Sequence, residues 1–247
     1  MMPPVSRNSA LYLDIDGTLL DLARAPDLVA VPDELLRALQ TLWTELGGAL
    51  AFVSGRSLDS IDGLFLPFRP AAIGAHGAEI RGIDGEVSRA AALPDAVREI
   101  FRGLADNIPG LLLEDKKCAL ALHYRLAPEA RPVLASAMEK HRKLFATEKI
   151  DILYGKAVID ARHQGLDKGS AVSNLARQKP FAGRAIVFGG DDTTDMDVFK
   201  ILPRLGGRGF SVGRHFAGAE HRFESPRAVR QWLVGLAKGG LDNGTVA

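Results

Sequence analysis

The sequence has almost no cysteine, no excess of charge of either sign and no long apolar run. Its single cysteine, Cys118, has no partner for an internal disulfide, and nothing else points to an oxidising compartment. Lys and Arg together number 31 and Asp and Glu 30, so no net field draws in nucleic acid or a membrane surface. No stretch approaches the length of a membrane span, and residues 1–9 lack the apolar core of a signal peptide. The expected location is the cytoplasm, with neither nucleic acid nor membrane as a partner. A Gly-x-x-x-x-Gly-Lys-Ser/Thr loop is missing, which argues against a P-loop kinase. His141, His163, His215 and His221 show no metal-ligand pairing of the kind zinc uses. Cys118 has no base beside it in sequence and reads as packing in a hairpin. Solenoid repeats and low-complexity tracts are also missing. What remains is 247 residues of ordinary globular composition, 47% hydrophobic and 25% charged, enough for one large or two small domains.

The chain is organised around Ala10-Leu11-Tyr12-Leu13-Asp14-Ile15-Asp16-Gly17-Thr18-Leu19-Leu20. Leu11 to Leu13 read as the end of a buried strand. Asp14 and Asp16 follow it, one residue apart, and alternation in an extended backbone starts them on the same side. Gly17 lets the chain turn away, and Thr18 offers a hydroxyl. Two acids this close repel unless a cation or a shared proton compensates them, and hard oxygen ligands suit Mg²⁺. The plain alternative is a turn after a strand, where Asp and Gly are common.

Further along, residues 21–30 read as a surface loop, and Pro32-Asp33-Glu34 opens a helix with Leu35, Leu36, Leu39, Leu42, Trp43 and Leu46 at helical spacing. Ala49 to Val53 reads as a second buried strand ending in Ser54-Gly55-Arg56, where a hydroxyl and free backbone N–H groups suit a phosphate; Ser57 reads as a helix N-cap. Ala71 to Ala75 reads as a third strand, leading to His76-Gly77-Ala78-Glu79-Ile80-Arg81, either a site edge or a hairpin arm turning at 82–85. The character then changes. A helix from Pro94 to Ala105, strands at Leu111–Glu114 and Ala119–Tyr124, a helix from Pro128 to Phe145, and strands at Ile150–Tyr154 and Ala157–Asp160 make a small α+β module. Afterwards the strand–helix alternation resumes, with a helix from Asp167, a strand at Ala185–Phe188, the string Gly189-Gly190-Asp191-Asp192-Thr193-Thr194-Asp195-Met196, a helix over Thr194–Leu202 and a short strand at Gly209–Val212. A last helix is capped by Ser225-Pro226, and residues 239–247 form a tail. The fold class is α/β: a doubly wound, mostly parallel sheet from residues 1–87 and 161–247, with an inserted α+β cap domain at 88–160.

Four stretches thus stand at strand ends or helix starts: Asp14 and Asp16, Ser54, Lys168, and Asp191, Asp192 and Asp195. A doubly wound sheet brings such ends together. A phosphate monoester is nearly a dianion, and a carboxylate attacks it only where charge is screened. Mg²⁺ on Asp14, on the Asp16 backbone carbonyl and on Asp191 would do that, with Lys168 adding a fixed charge. The plain readings are a solvated lysine and helix-capping acids.

The string Asp14-Ile15-Asp16-Gly17-Thr18-Leu19 resembles the signature of the haloacid dehalogenase superfamily, mostly Mg²⁺-dependent phosphatases, and the four stretches match its four motifs in order. The resemblance implies Asp14 as the nucleophile that forms an aspartyl-phosphate, and Asp16 as the acid that protonates the leaving alcohol and then activates water. It also implies Ser54 and Gly55 at the phosphoryl group, together with Lys168. Thr18, Asp192 and Asp195 would support the metal ligands. Within the superfamily the chain resembles the trehalose-6-phosphate phosphatases. That likeness is carried by His76-Gly77-Ala78-Glu79-Ile80-Arg81, Glu114-Asp115-Lys116, Ala121-Leu122-His123-Tyr124-Arg125, Asp167-Lys168-Gly169 and Gly190-Asp191-Asp192-Thr193-Thr194-Asp195. The implied substrate is a small sugar phosphate, read by His76, Glu114, Lys116, His123, Arg125 and Asp160, with a functional pairing to a trehalose-6-phosphate synthase. Two departures from the family stand out: Met196 stands where Glu is usual, and near Asp160 and His163 the family has Glu and Pro. Two other readings stay open on sequence: a phosphatase for sucrose phosphate or a glycosyl-phosphoglycerate, and a non-catalytic sugar-phosphate-binding domain that regulates a synthase.

Overall fold

The computed structural model describes residues 2–22 and 30–242. Most of the loop expected at 21–30 and of the tail expected at 239–247 lies outside the described residues. The chain divides into two compact units, one built from residues 1–88 and 167–247 and the other from residues 89–166.

The first unit holds a sheet in the order β12-β11-β10-β1-β2-β3-β4-β5. Its middle is β1 (Ser9–Leu13), flanked by β10 (Ala185–Gly190) and β2 (Leu50–Val53), both parallel to it. β3 (Ala71–Gly74) extends the parallel run on one side. β11 (Arg208–Val212) and β12 (His221–Phe223) extend it on the other. β4 (Glu79–Arg81) turns back antiparallel to β3, and β5 (Val87–Arg89) closes that edge. β1 and β2 are buried throughout, and β10 is buried beyond Ala185. They therefore read as apolar runs rather than alternating ones.

Helices cover the sheet for reasons visible in their sequences. α1 (Asp33–Glu45) opens on Pro32 with acids in its first turn, buries Leu35, Ala38, Leu39 and Leu42, and packs against α8 (Pro226–Gly239). Ser57 accepts a hydrogen bond from the Ser60 backbone at the start of α2 (Leu58–Phe65), as its sequence position suggested. Asp167 and Ser170 form a reciprocal capping box on α6 (Lys168–Leu175), which fixes where Lys168 leaves the backbone.

The second unit is a four-stranded antiparallel sheet in the order β6 (Leu112–Asp115), β7 (Ala119–His123), β9 (Val158–His163), β8 (Ile150–Tyr154). Leu120, Leu122, Ile150, Ile159 and Ala161 share a core with Val97 and Phe101 of α3 (Asp95–Asn107) and with Leu134, Met138 and Phe145. The other face of this sheet is polar. Register puts Glu114, Ala121 and Asp160 in one cross-strand row, with Arg162 opposite Ala119.

Three expectations are corrected, and one strand is added. The segment 128–145 is not one helix but a 3-10 turn at Pro128–Ala130, α4 (Arg131–Lys140) and α5 (Arg142–Thr147). The His141 N–H is shared between the carbonyls of Ala137 and Met138, which tightens the last turn of α4 and re-aims α5. A boundary at 160 would cut β9, which runs on to His163; the division falls after Leu166. The helix expected over 194–202 is a 3-10 turn at Thr193–Asp195 followed by a single turn, α7 (Met196–Phe199). β12 is a strand the sequence hid, because three residues with one buried side chain, Phe223, are too few to show a period.

Candidate active site

β1 lies between strands that lead away in opposite directions, β2 on one side and β10 on the other. That is a topological switch point, and open α/β sheets bind ligands at the carboxyl ends of such strands. Asp14 follows β1 and Asp191 follows β10 at that spot.

The buried centre is a chain of charges. Lys168 Nζ donates to Asp14 Oδ1 at 2.8 Å and to Asp195 Oδ1 at 2.6 Å. The other oxygen of Asp195, Oδ2, accepts from the backbone N–H groups of Asp191 at 2.8 Å and Asp192 at 2.9 Å. Lys168 is 2% exposed, Asp14 4% and Asp195 0%. Burial and the neighbouring acids Asp195 and Asp191 push the Asp14 carboxyl well above the usual range, against the pull of Lys168. Burial alone would weaken the Lys168 ammonium, but Asp14 and Asp195 outweigh it and hold it above the ordinary lysine value.

Carboxylate oxygens of Asp14, Asp191 and Asp195 lie within 4.8 Å of one another. Asp195 has both oxygens engaged, whereas Asp14 Oδ2 is buried with no hydrogen-bond partner. Gly17 brings Asp191 in: its φ is +84°, and a Cβ on it would lie 2.2 Å from Asp191 Oδ2. All the donors are hard oxygens, and the acids outnumber the one lysine. This donor set fits Mg²⁺.

Asp16 does not join this centre. Beyond the strand the Ile15 carbonyl accepts from the N–H groups of Thr18, Leu19 and Leu20, and this tight turn sends Asp16 outward, its side chain 31% exposed. There Arg56 grips it with two hydrogen bonds, Nε to Oδ2 at 2.6 Å and Nη2 to Oδ1 at 2.7 Å. The two acids part at this turn, and each finds its own cation. Sequence reasoning named the string Ser54-Gly55-Arg56 but read it for its hydroxyl and glycine; the contact of the arginine beside them with Asp16 is what it missed.

Ser54 is buried at the end of β2, and its Oγ accepts from the Arg56 N–H at 3.1 Å. Gly55 lies against the ring of His76, and the His76 N–H donates to the Ser54 carbonyl. Thr18 is buried without a side-chain hydrogen bond among the described residues. Asp192 accepts from Thr193 N–H at 2.7 Å and faces Arg214 at 3.6 Å, so it caps the turn rather than entering the centre.

In the second unit Glu114 Oε2 lies 3.4 Å from Lys116 Nζ and 3.3 Å from His123 Nε2. Burial raises the Glu114 carboxyl, but the His123 hydrogen bond and the Lys116 charge more than offset it and leave it below its ordinary value. Asp160 is buried on the same sheet face, and so is Arg162, which the sequence reading left out. Arg125 lies past the end of β7, exposed.

The model of the trehalose-phosphatase family matches residues 12–224. A probable trehalose-phosphate phosphatase of Sinorhizobium fredii is 44% identical over 93% of this chain and 88% of its own. The trehalose-6-phosphate phosphatase of Escherichia coli is 38% identical over 94% and 87%. Among solved structures, the C-terminal domain of the trehalose-6-phosphate phosphatase of C. albicans has the same fold, with a TM-score of 0.83 at 24% identity over 95% of this chain and 93% of that one. The matched span takes in Asp14 and the switch point, the Arg56 loop, the polar face of the second unit and the Lys168–Asp195 pair, and on that footing the chain belongs to the trehalose-phosphatase family.

Proposed function

We propose that this chain hydrolyses trehalose 6-phosphate to trehalose and inorganic phosphate through an aspartyl-phosphate on Asp14. The observation that carries the reading is the state of the Asp14 carboxylate. One oxygen is held by Lys168, and the other is buried with no partner. A buried acid pressed by two further acids is costly unless something cationic meets it. Mg²⁺ held by Asp14, Asp191 and the Asp16 carbonyl would supply charge screening of the phosphoryl oxygens. An Asp14 oxygen attacks phosphorus, the ester P–O bond breaks, and the leaving alkoxide takes a proton from Asp16. Asp16 then takes a proton from water, whose oxygen displaces Asp14 from phosphorus and releases phosphate. Lys168 keeps the attacked group next to a fixed positive charge, while Ser54 and the Gly55 N–H hold phosphoryl oxygens.

The inserted unit reads the sugar. A disaccharide is recognised by planar and charged side chains that bond its hydroxyls, and the polar sheet face of this unit offers Glu114, Lys116, His123 and Asp160, with Arg125 past the end of β7. A synthase that makes trehalose 6-phosphate is the reaction this role pairs with.

Phosphate release over a panel of sugar phosphates, with and without Mg²⁺, tests the reading. Trehalose 6-phosphate should be hydrolysed fastest, and chelation with EDTA should stop release until Mg²⁺ is restored. Preference for sucrose phosphate or a glycosyl-phosphoglycerate would move the assignment to another sugar phosphatase, and no release from any substrate would leave a binding domain. Lys116→Ala or Glu114→Ala should lower kcat/KM for trehalose 6-phosphate by roughly ten- to a hundredfold, as expected for one or two charge-assisted bonds, and spare a small aryl phosphate. Equal losses on both substrates would remove these residues from sugar recognition.

A further inference from the structure

We infer that Arg56 is a positioning residue for Asp16, holding the acid in one orientation outside the buried Asp14–Lys168–Asp195 centre; this rests on the role proposed for Asp16. The two hydrogen bonds, at 2.6 and 2.7 Å, engage both Asp16 oxygens and fix the plane of the carboxylate, which a single contact or a lysine would leave free to rotate.

The holder is itself held. Arg56 is 8% exposed although Asp16 stands at the rim. Its Nη1 donates to Ser60 Oγ at 3.2 Å, and its backbone is tied at both ends, N–H to Ser54 Oγ and carbonyl from Ala75 N–H at 2.7 Å. Gly74 lets the strands close on that loop, since a Cβ there would meet the Arg56 carbonyl at 2.9 Å and Leu58 N at 3.0 Å. Glu79, buried on β4, accepts from the same Leu58 N–H at 2.7 Å. An arginine so built in has lost its rotamer freedom before Asp16 arrives, and this makes it an aiming device rather than a surface partner. With both oxygens accepting from Arg56, one of the two bonds opens when that oxygen takes up the proton that Asp16 then gives to the leaving oxygen, and the other bond keeps the carboxyl aimed.

A residue that acts through Asp16 must share its selectivity. Arg56→Ala, Asp16→Asn and the double variant are compared on trehalose 6-phosphate, whose leaving group is a basic alkoxide, and on an aryl phosphate, whose leaving group needs little acid help. Asp16→Asn should cost more on the sugar phosphate, within the ~10²–10⁴-fold that general acid catalysis contributes. Arg56→Ala should lower kcat on the sugar phosphate by about tenfold or more with KM little changed, and change the aryl phosphate rate by less than about threefold. In the Asp16→Asn background it should cost nothing further. Arg56→Lys, which keeps the charge and loses the two-point grip, should fall between parent and Arg56→Ala, and it carries the same comparison if the alanine variant fails to fold. Selective loss in Asp16→Asn with unselective loss in the Arg56 variants, or additive losses in the cycle, overturns the inference alone. Unselective loss in Asp16→Asn overturns the acid role and the inference with it.

Discussion

Asp14→Asn is expected to reduce phosphate release by at least about 10⁴-fold, because the substitution removes the attacking oxygen itself. The same change should not destabilise the protein. Asp14 sits in a buried centre where it shares the Lys168 ammonium with Asp195 and lies near Asp191, and neutralising it relieves repulsion from these two acids. Without Mg²⁺ the melting temperature of the variant should therefore equal or exceed that of the parent. The rise produced by Mg²⁺ should shrink, since one oxygen donor has gone. Melting curves with and without Mg²⁺, read beside phosphate release, check both halves. A folded Asp14→Asn protein that still turns over would remove the nucleophile assignment.

Lys168→Ala should lose activity by a comparable order and fail in the opposite way on stability. It removes the only cation that Asp14 and Asp195 touch in the described structure, leaving buried acids uncompensated. Removing one partner of a buried pair typically costs ~3–5 kcal/mol, which for a chain of this size lowers the melting temperature by roughly 10 °C. Mg²⁺ should recover part of that loss by supplying positive charge to the same carboxylates. The pH dependence has a definite sign. The folded Lys168 value lies above its ordinary one, so its stabilising contribution is complete below the ordinary lysine range and is lost only as pH rises beyond it. Across the neutral range the stability gap between parent and Lys168→Ala from this source should stay constant. A Lys168→Ala protein as stable as the parent would mean the acids are protonated rather than paired.

Much of this centre was readable before any coordinates. Asp14, Ser54, Lys168 and Asp191 each follow an apolar run or open a helix, and a doubly wound sheet gathers such positions at one edge. What could not be read was the direction each side chain takes after its strand ends. Alternation predicts Asp14 and Asp16 on one side, but three N–H groups converging on the Ile15 carbonyl redirect the chain within two residues. The partner Asp16 then finds comes from a different strand end, and no local pattern announces it. Asp195 is similar: its two oxygens satisfy Lys168 on one side and two backbone N–H groups on the other, a task that helix-capping acids in sequence do not advertise. The break at His141 and the three-residue β12 were lost for a simpler reason, namely that both are shorter than the window over which periodicity is measured.

The order of strands has a consequence for how the protein is made. β1 pairs with β10, joining Ser9 to Ala185 and Leu13 to Gly189, so the middle of the larger sheet is closed by segments far apart in the chain. During synthesis β1 emerges early, with β2 soon after it on one side, and must wait for β10 to be translated on the other. The 89–166 unit meets only short-range requirements of this kind, its strands pairing within its own segment, and it can be complete before Ala185 leaves the ribosome. Asp14 and Asp191 come together only at the last stage, so a nascent chain acquires its chemistry at the moment its slowest contact forms. A ribosome-stalled series should pass abruptly from inert to competent for binding Mg²⁺ at the length where Asp195 has cleared the exit tunnel, and not before.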